Sequence, residues 1–207
     1  MKKLIFIFLL LILLPVFSYA REEEKVLMII NEGKFEDLEL MLTREVGVMK
    51  ELLRNAGFKV VTASASKKPL TAGVISLEPD LRFSDVNVDD YVGIIMPCMA
   101  VSASPLAPEG EAIIREAAAK GKPIATQTGS VVLLSRAGLL KGKKYAFSKA
   151  WGLKFEDSIY GGDGVVKDGN IITSGICPMI AKQTGSKDGT AKLTEYLIEE
   201  IHKTNKP

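Results

Sequence analysis

The stretch Lys122 to Gly138, KPIATQTGSVVLLSRAG, runs a short apolar strand straight into a helical apolar pattern, with Thr128 at the turn. In an α/β protein such a turn lies at the carboxyl end of the sheet, beside helix N–H groups that favour an anion, and it suits a nucleophile. Here Gln127, Thr128, Gly129 and Ser130 supply no thiol, imidazole or carboxylate. The sole histidine of the 207-residue chain is His202, close to the C-terminus. A His-rich zinc site is therefore excluded, as is a Ser-His-Asp or Cys-His pair that does not use His202. The thiols lie elsewhere: Cys98 follows YVGIIMP, and Cys177 follows IITSGI. No metal and no cofactor is expected. Gly161-Gly162-Asp163-Gly164 is a turn and not a dinucleotide fingerprint, because no strand-before, helix-after setting surrounds it.

The elements that must position these groups read as alternating strands and helices. KVLMII, from Lys25, is a continuous apolar run of the kind found in a strand buried on both faces. Phe35, Leu38, Leu42, Val46, Met49 and Leu53 then recur at steps of three and four and form a helical stripe, with a bend expected at Gly47. FKVVTA from Phe58 and YVGIIM from Tyr91 are further strands, and Thr71 to Val86 predicts short strands or a hairpin. Pro108 opens a helix with Ile113, Ile114 and Ala117 inward. Lys167-Asp168-Gly169-Asn170 makes a hairpin of the strands on either side, and Leu193, Leu197 and Ile201 mark a last helix. The alternation predicts a layered α/β sandwich with a mostly parallel sheet, whose ligands bind where the loops after the strands converge. Those loops are Asn31 to Phe35, Pro97 to Ser102 and Thr126 to Ser130, with Gly175 to Pro178 nearby.

Lys2 and Lys3, an apolar run to Phe17 and the small residues Ser18-Tyr19-Ala20 read as a secretory signal cleaved near Ala20, leaving residues 21–207 as one domain. The expected destination is the periplasm or the outside of the cell, with no other membrane segment. Removing Lys2 and Lys3 from the 27 basic residues leaves 25 against 25 acidic, so nothing in the charge attracts nucleic acid. In an oxidising compartment a disulfide between Cys98 and Cys177 is allowed, and their placement after two strands brings them to one edge. A displaced reactive thiol or redox pair, and two separate inert thiols, remain open beside it.

KVLMIINEGKFEDLEL, YVGIIMP, GKPIATQTGS, the GLLKGKK after it and VVKDGNIITS resemble the ThiJ/PfpI superfamily, which includes DJ-1, in order and spacing. The resemblance implies a flavodoxin-like three-layer sandwich, frequent homodimers, and activities that include peptidase, glyoxalase or deglycase and chaperone-like roles. It also implies a site built from an elbow cysteine, a glutamate that hydrogen-bonds the thiol, and glycines that bring backbone N–H groups near. Glu39, in FEDLEL, matches the family's glutamate. Thr128 stands where the cysteine belongs, Gly129 where many members have histidine or alanine, and Cys98-Met99 where the family has a glycine pair.

An alcohol is harder to ionise than a thiol and needs a base, for which Glu39 is the one candidate. Ser130, Ser148 and Ser102 are expected to face the cleft and hold a ligand. Cys98, Met99, Gly129 and Cys177 complete the expected pocket. The reading that results is an exported protein that binds an unknown small molecule or serves a stress-related role. The alternative is a hydrolase or lyase using Glu39 with Thr128 or a displaced cysteine.

Overall fold

The computed structural model describes residues 23–100 and 105–204. The expected leader and Ser102 lie outside the described residues.

The apolar run after Glu24 forms β1 (Lys25–Ile29), and its alternate residues build two cores. Val26 and Met28 face one side, with Leu42, Met49, Leu193 and Leu197. Leu27 and Ile29 face the other, with Ile114, Ala117, Val131 and Leu134. A strand apolar on both faces is thus sandwiched between two helical layers, which is why it reads as an unbroken hydrophobic run.

Around it stand β2 (Lys59–Ser64), the hairpin β3 (Leu70–Ala72) and β4 (Ile75–Leu77), β5 (Leu81–Arg82), β6 (Tyr91–Met96) and β7 (Ile124–Gln127). Later come β8 (Lys144–Tyr145), β9 (Ile159–Tyr160), β10 (Val165–Asp168) and β11 (Ile171–Ser174). The main sheet has seven strands in the order β10-β11-β7-β6-β1-β2-β5. Its pairs are parallel except β10 with β11, the hairpin expected at Asp168-Gly169. The mostly parallel α/β sandwich is as the alternation of elements predicts.

The first helix departs from a plain α pattern. It begins as α1 (Leu38–Leu40), widens into a π-helical segment (Met41–Gly47) and continues as α2 (Val48–Asn55). Asp37 caps it, accepting from the Leu40 N–H at 3.3 Å. The segment ends at Gly47, where a Cβ would approach the Leu42 carbonyl oxygen to 3.2 Å. The feature at Gly47 is therefore a change of helical pitch. The remaining helices are α3 (Pro108–Ala119), α4 (Val131–Arg136), α5 (Pro178–Thr184) and α6 (Thr190–Thr204). None of the described helices is long and apolar enough to cross a membrane.

Candidate functional site

Strands β11, β7 and β6 are consecutive neighbours, so the loops leaving their carboxyl ends meet. Those loops carry Cys177, Thr128 and Cys98. Gln127 ties two of them together, its amide N–H₂ donating to the Ile176 carbonyl at 2.9 Å and to Thr190 Oγ1 at 3.1 Å. The Ser130 hydroxyl ties in the third by donating to the Pro97 carbonyl. The loop after β1 joins through the Asn31 N–H, which donates to the Met99 carbonyl at 3.2 Å.

Thr128 occupies the turn with φ 39°, a left-handed conformation that a β-branched residue rarely adopts. The surrounding bonds hold it there, in the strained setting typical of a nucleophile elbow. Its hydroxyl is wholly buried and makes no hydrogen bond of normal geometry. It faces the Cys177 sulfur, where its effect is to favour a thiolate.

Both cysteines are buried free thiols, and they are hydrogen-bond neighbours across the elbow. The Cys98 hydrogen bond, helped by the Ile180 N–H, the Thr128 hydroxyl and the Met179 N–H, lowers Cys177 to about 6 despite its burial. The same bond, together with burial, pushes Cys98 well above an ordinary thiol. The pair shares one proton: the first leaves readily and the second with difficulty.

The carboxylate that reaches this site is Glu45. Its Oε1 accepts the Cys98 backbone N–H at 2.8 Å, while Oε2 is buried without a partner. Burial raises its pKa well above the ordinary carboxyl range, and the neighbouring Cys177 adds to the effect. Burial therefore biases Glu45 toward its neutral form, with Oε2 the oxygen left for the proton. Glu39, the glutamate expected from FEDLEL, is instead exposed. The turn that carries it buries no residue, whereas the π-helical segment after it buries Met41, Leu42, Glu45 and Val46. The helix buries its inner face from that segment onward, which leaves Glu39 in water. One signal was available in the sequence: Glu45 stands three residues after Leu42 and four before Met49, a carboxylate on the apolar stripe.

Cys98 opens on a cavity of about 320 Å³ walled by Phe35, Met41, Met99, Trp151 and Met179. The walls are mostly apolar and rich in sulfur, and the charged Lys34 and Glu36 complete the lining. Gly129 lies against them: a Cβ there would come within 3.1 Å of the Trp151 ring and 3.4 Å of Cys98 Sγ. Of the expected pocket residues, Cys98 and Met99 line the cavity, and Cys177 bonds to Cys98 without reaching its wall. The two serines serve the frame: Ser130 bonds to Pro97, and Ser148, 2% exposed, caps the Lys149–Trp151 turn by accepting the Ala150 N–H at 3.3 Å. Among the described residues, no group of three or more His, Cys, Asp or Glu side chains could hold a metal ion.

A mostly parallel sandwich with a strained strand-to-helix elbow, flanked by loops carrying a buried acid and thiols, defines a class of α/β proteins with an elbow site. The DJ-1/PfpI family model matches residues 24–181, and the chain belongs to that family. It is 35% identical over 159 residues to an uncharacterized protein of Methanocaldococcus jannaschii, spanning 72% of this chain and 74% of that one. It is 30% identical over 120 residues to the deglycase PfpI of Pyrococcus furiosus, spanning 57% of this chain and 69% of the other. The crystal structure of Drosophila melanogaster DJ-1beta superposes with a TM-score of 0.64 at 22% identity, over 88% of this chain and 97% of that one. The fold is flavodoxin-like.

Proposed function

We propose that this chain is an exported, small-ligand-binding member of the DJ-1/PfpI family, in a stress-related role, whose elbow performs no nucleophilic chemistry. The observation that carries the reading is that the buried Thr128 hydroxyl makes no hydrogen bond of normal geometry and has no base against it among the described residues. An alcohol needs a base to act as a nucleophile, and the buried carboxyl of the site, Glu45, is bonded to the Cys98 N–H and is pushed toward its neutral form by burial. The thiols flank the turn without occupying it. What the loops border is a mostly apolar cavity of about 320 Å³ at the carboxyl edge of the sheet, with Lys34 and Glu36 also on its lining, the position and size of a small-molecule site. The deglycase activity in the name of the Pyrococcus furiosus relative is a property of that protein.

Trp151 is the sole tryptophan of the chain and lines the cavity, so its fluorescence reports on the site alone. Titration of the mature protein with small apolar alcohols and aldehydes is expected to give a saturable emission change, with no hydrolysis of peptides or release of lactate from methylglyoxal. Turnover of either substrate that disappears in Thr128→Val would sink the proposal, as would an emission spectrum indifferent to the whole panel. Export is tested separately, by the N-terminal sequence of protein recovered from the periplasm and the medium.

A further inference from the structure

We propose that Cys98 and Cys177 form a two-electron thiol–disulfide couple that reduces a small apolar organic hydroperoxide held in the cavity over Cys98. The proposal rests on the reading of that cavity as a ligand site.

Placement comes first. Residues just beyond three neighbouring strands converge here, and the two thiols stand on the outer loops, on either side of Thr128. With a hydroxyl at the turn, the thiols meet each other. They are the chain's two cysteines, so no third thiol competes for either.

Their surroundings differ in a useful way. Cys98 is 5% exposed and forms part of the cavity wall, whereas Cys177 is 0% exposed and backs onto Cys98. A bound molecule therefore meets Cys98, and whatever Cys98 becomes is within reach of Cys177. Lys34 and Glu36 are the charged members of the lining, and the face made by Phe35, Met41, Met99, Trp151 and Met179 is where an apolar substituent packs. At rest Cys98 keeps its proton and bonds it to Cys177, and the Gly129 backbone N–H at the Cys98 sulfur is the one group there that eases its ionisation.

The chemistry balances with these groups. Cys98 passes its proton to the Cys177 thiolate and its sulfur attacks the terminal oxygen of ROOH; an S–O bond forms, the O–O bond breaks, and the departing alkoxide takes a proton from solvent at the cavity mouth to leave as ROH. Cys98 is then a sulfenic acid. The Cys177 sulfur attacks it, the S–S bond forms, and hydroxide leaves with the Cys177 proton as water. The sum is two thiols plus ROOH giving a disulfide, ROH and water, the peroxide being reduced by two electrons. A small dithiol returns the pair to its reduced form.

The test uses the reduced mature protein and one equivalent of cumene hydroperoxide, followed by denaturation, alkylation and intact mass. The expected result is a fall from two alkylated cysteines to none within one chain, reversed by dithiothreitol. Cys177→Ser should instead accumulate a sulfenic acid trapped by dimedone, and Cys98→Ser should consume peroxide at least about tenfold more slowly. Persistence of both thiols in the unaltered protein overturns the proposal and needs no variant; so does undiminished consumption in Cys98→Ser, or disulfides formed between chains. Cumyl alcohol, the unreactive product, separates this inference from the reading beneath it. If the alcohol shifts Trp151 emission while both thiols survive peroxide, the ligand site stands and the redox couple falls. If the alcohol leaves Trp151 unchanged and hydrogen peroxide oxidises the pair as fast as cumene hydroperoxide, the assigned substrate class and the ligand site fall together.

Discussion

The Glu45 side chain accepts the backbone N–H of Cys98 at 2.8 Å, joining the first helix to the loop after β6 at the floor of the cavity. The bond uses one carboxyl oxygen and leaves the other buried and unpartnered, an arrangement that a neutral acid tolerates and a carboxylate does not.

This relationship sets a pH dependence. Glu45 has a folded-state pKa raised above its ordinary 4.5, so its contribution to stability is complete below that value and is lost as pH rises through the folded pKa. Glu45→Gln keeps the acceptor for Cys98 and cannot ionise. We expect its unfolding free energy to lie within about 1 kcal/mol of the parent in mild acid and to lack this alkaline decline. Denaturant titrations across the pH range check both, and parallel curves for the two proteins would show that Glu45 is not held neutral.

Thr128→Val replaces a buried hydroxyl lacking a normal hydrogen bond with a methyl group of the same shape. Stability should rise by roughly 1 kcal/mol, since an unsatisfied polar group is removed and the β-branched shape at the turn is kept. The same change removes one of the groups favouring the Cys177 thiolate, so the first thiol ionisation should move to higher pH. Thermal unfolding and ultraviolet thiolate absorbance measure the two effects on one sample.

The thiol pair should titrate in two well-separated steps. One thiolate per chain is expected to appear with an apparent pKa of about 6, and the second well above an ordinary thiol. Cys98→Ser should raise the first step if a hydroxyl is the poorer donor to Cys177 and lower it if the better, whereas no change would mean that the two sulfurs do not interact. For the depressed group, the stabilisation is present above the ordinary pKa of 9.0 and is lost as pH falls through about 6.

Gly129→Ala tests the cavity wall. The added Cβ would stand 3.1 Å from the Trp151 ring, so the indole must swing outward. We expect a red-shifted Trp151 emission, weaker binding of apolar alcohols and a stability cost of about 1 kcal/mol. Unchanged emission and affinity would place Trp151 away from the site.

Much of this architecture was legible in the chain itself. KVLMII, YVGIIM and the Asp168-Gly169 hairpin read directly as the elements found, because apolar runs and turn residues act through local geometry and burial. The elbow at Thr128 was legible for the same reason, as was the arrival of Cys98 and Cys177 at one edge. The acid was not. Glu39 and Glu45 are both glutamates near the start of one helix, and a motif match favoured the first. What separates them is the π-helical segment, which no residue type announces and which places Glu45 against the sheet edge while Glu39 faces water.

By itself, then, the order of residues determined the sandwich, the carboxyl edge as the place for a site, and the exchange of a thiol for a hydroxyl at the elbow. These depend on periodicity, turn chemistry and chain order, all local or topological properties. Tertiary structure alone decided that Glu45 lies beneath Cys98 as a neutral acid, that the two thiols share a proton, and that Ser130 and Ser148 serve the frame. Protonation and hydrogen bonding depend on which atoms are excluded from water together, and that is settled only when loops distant in sequence have packed.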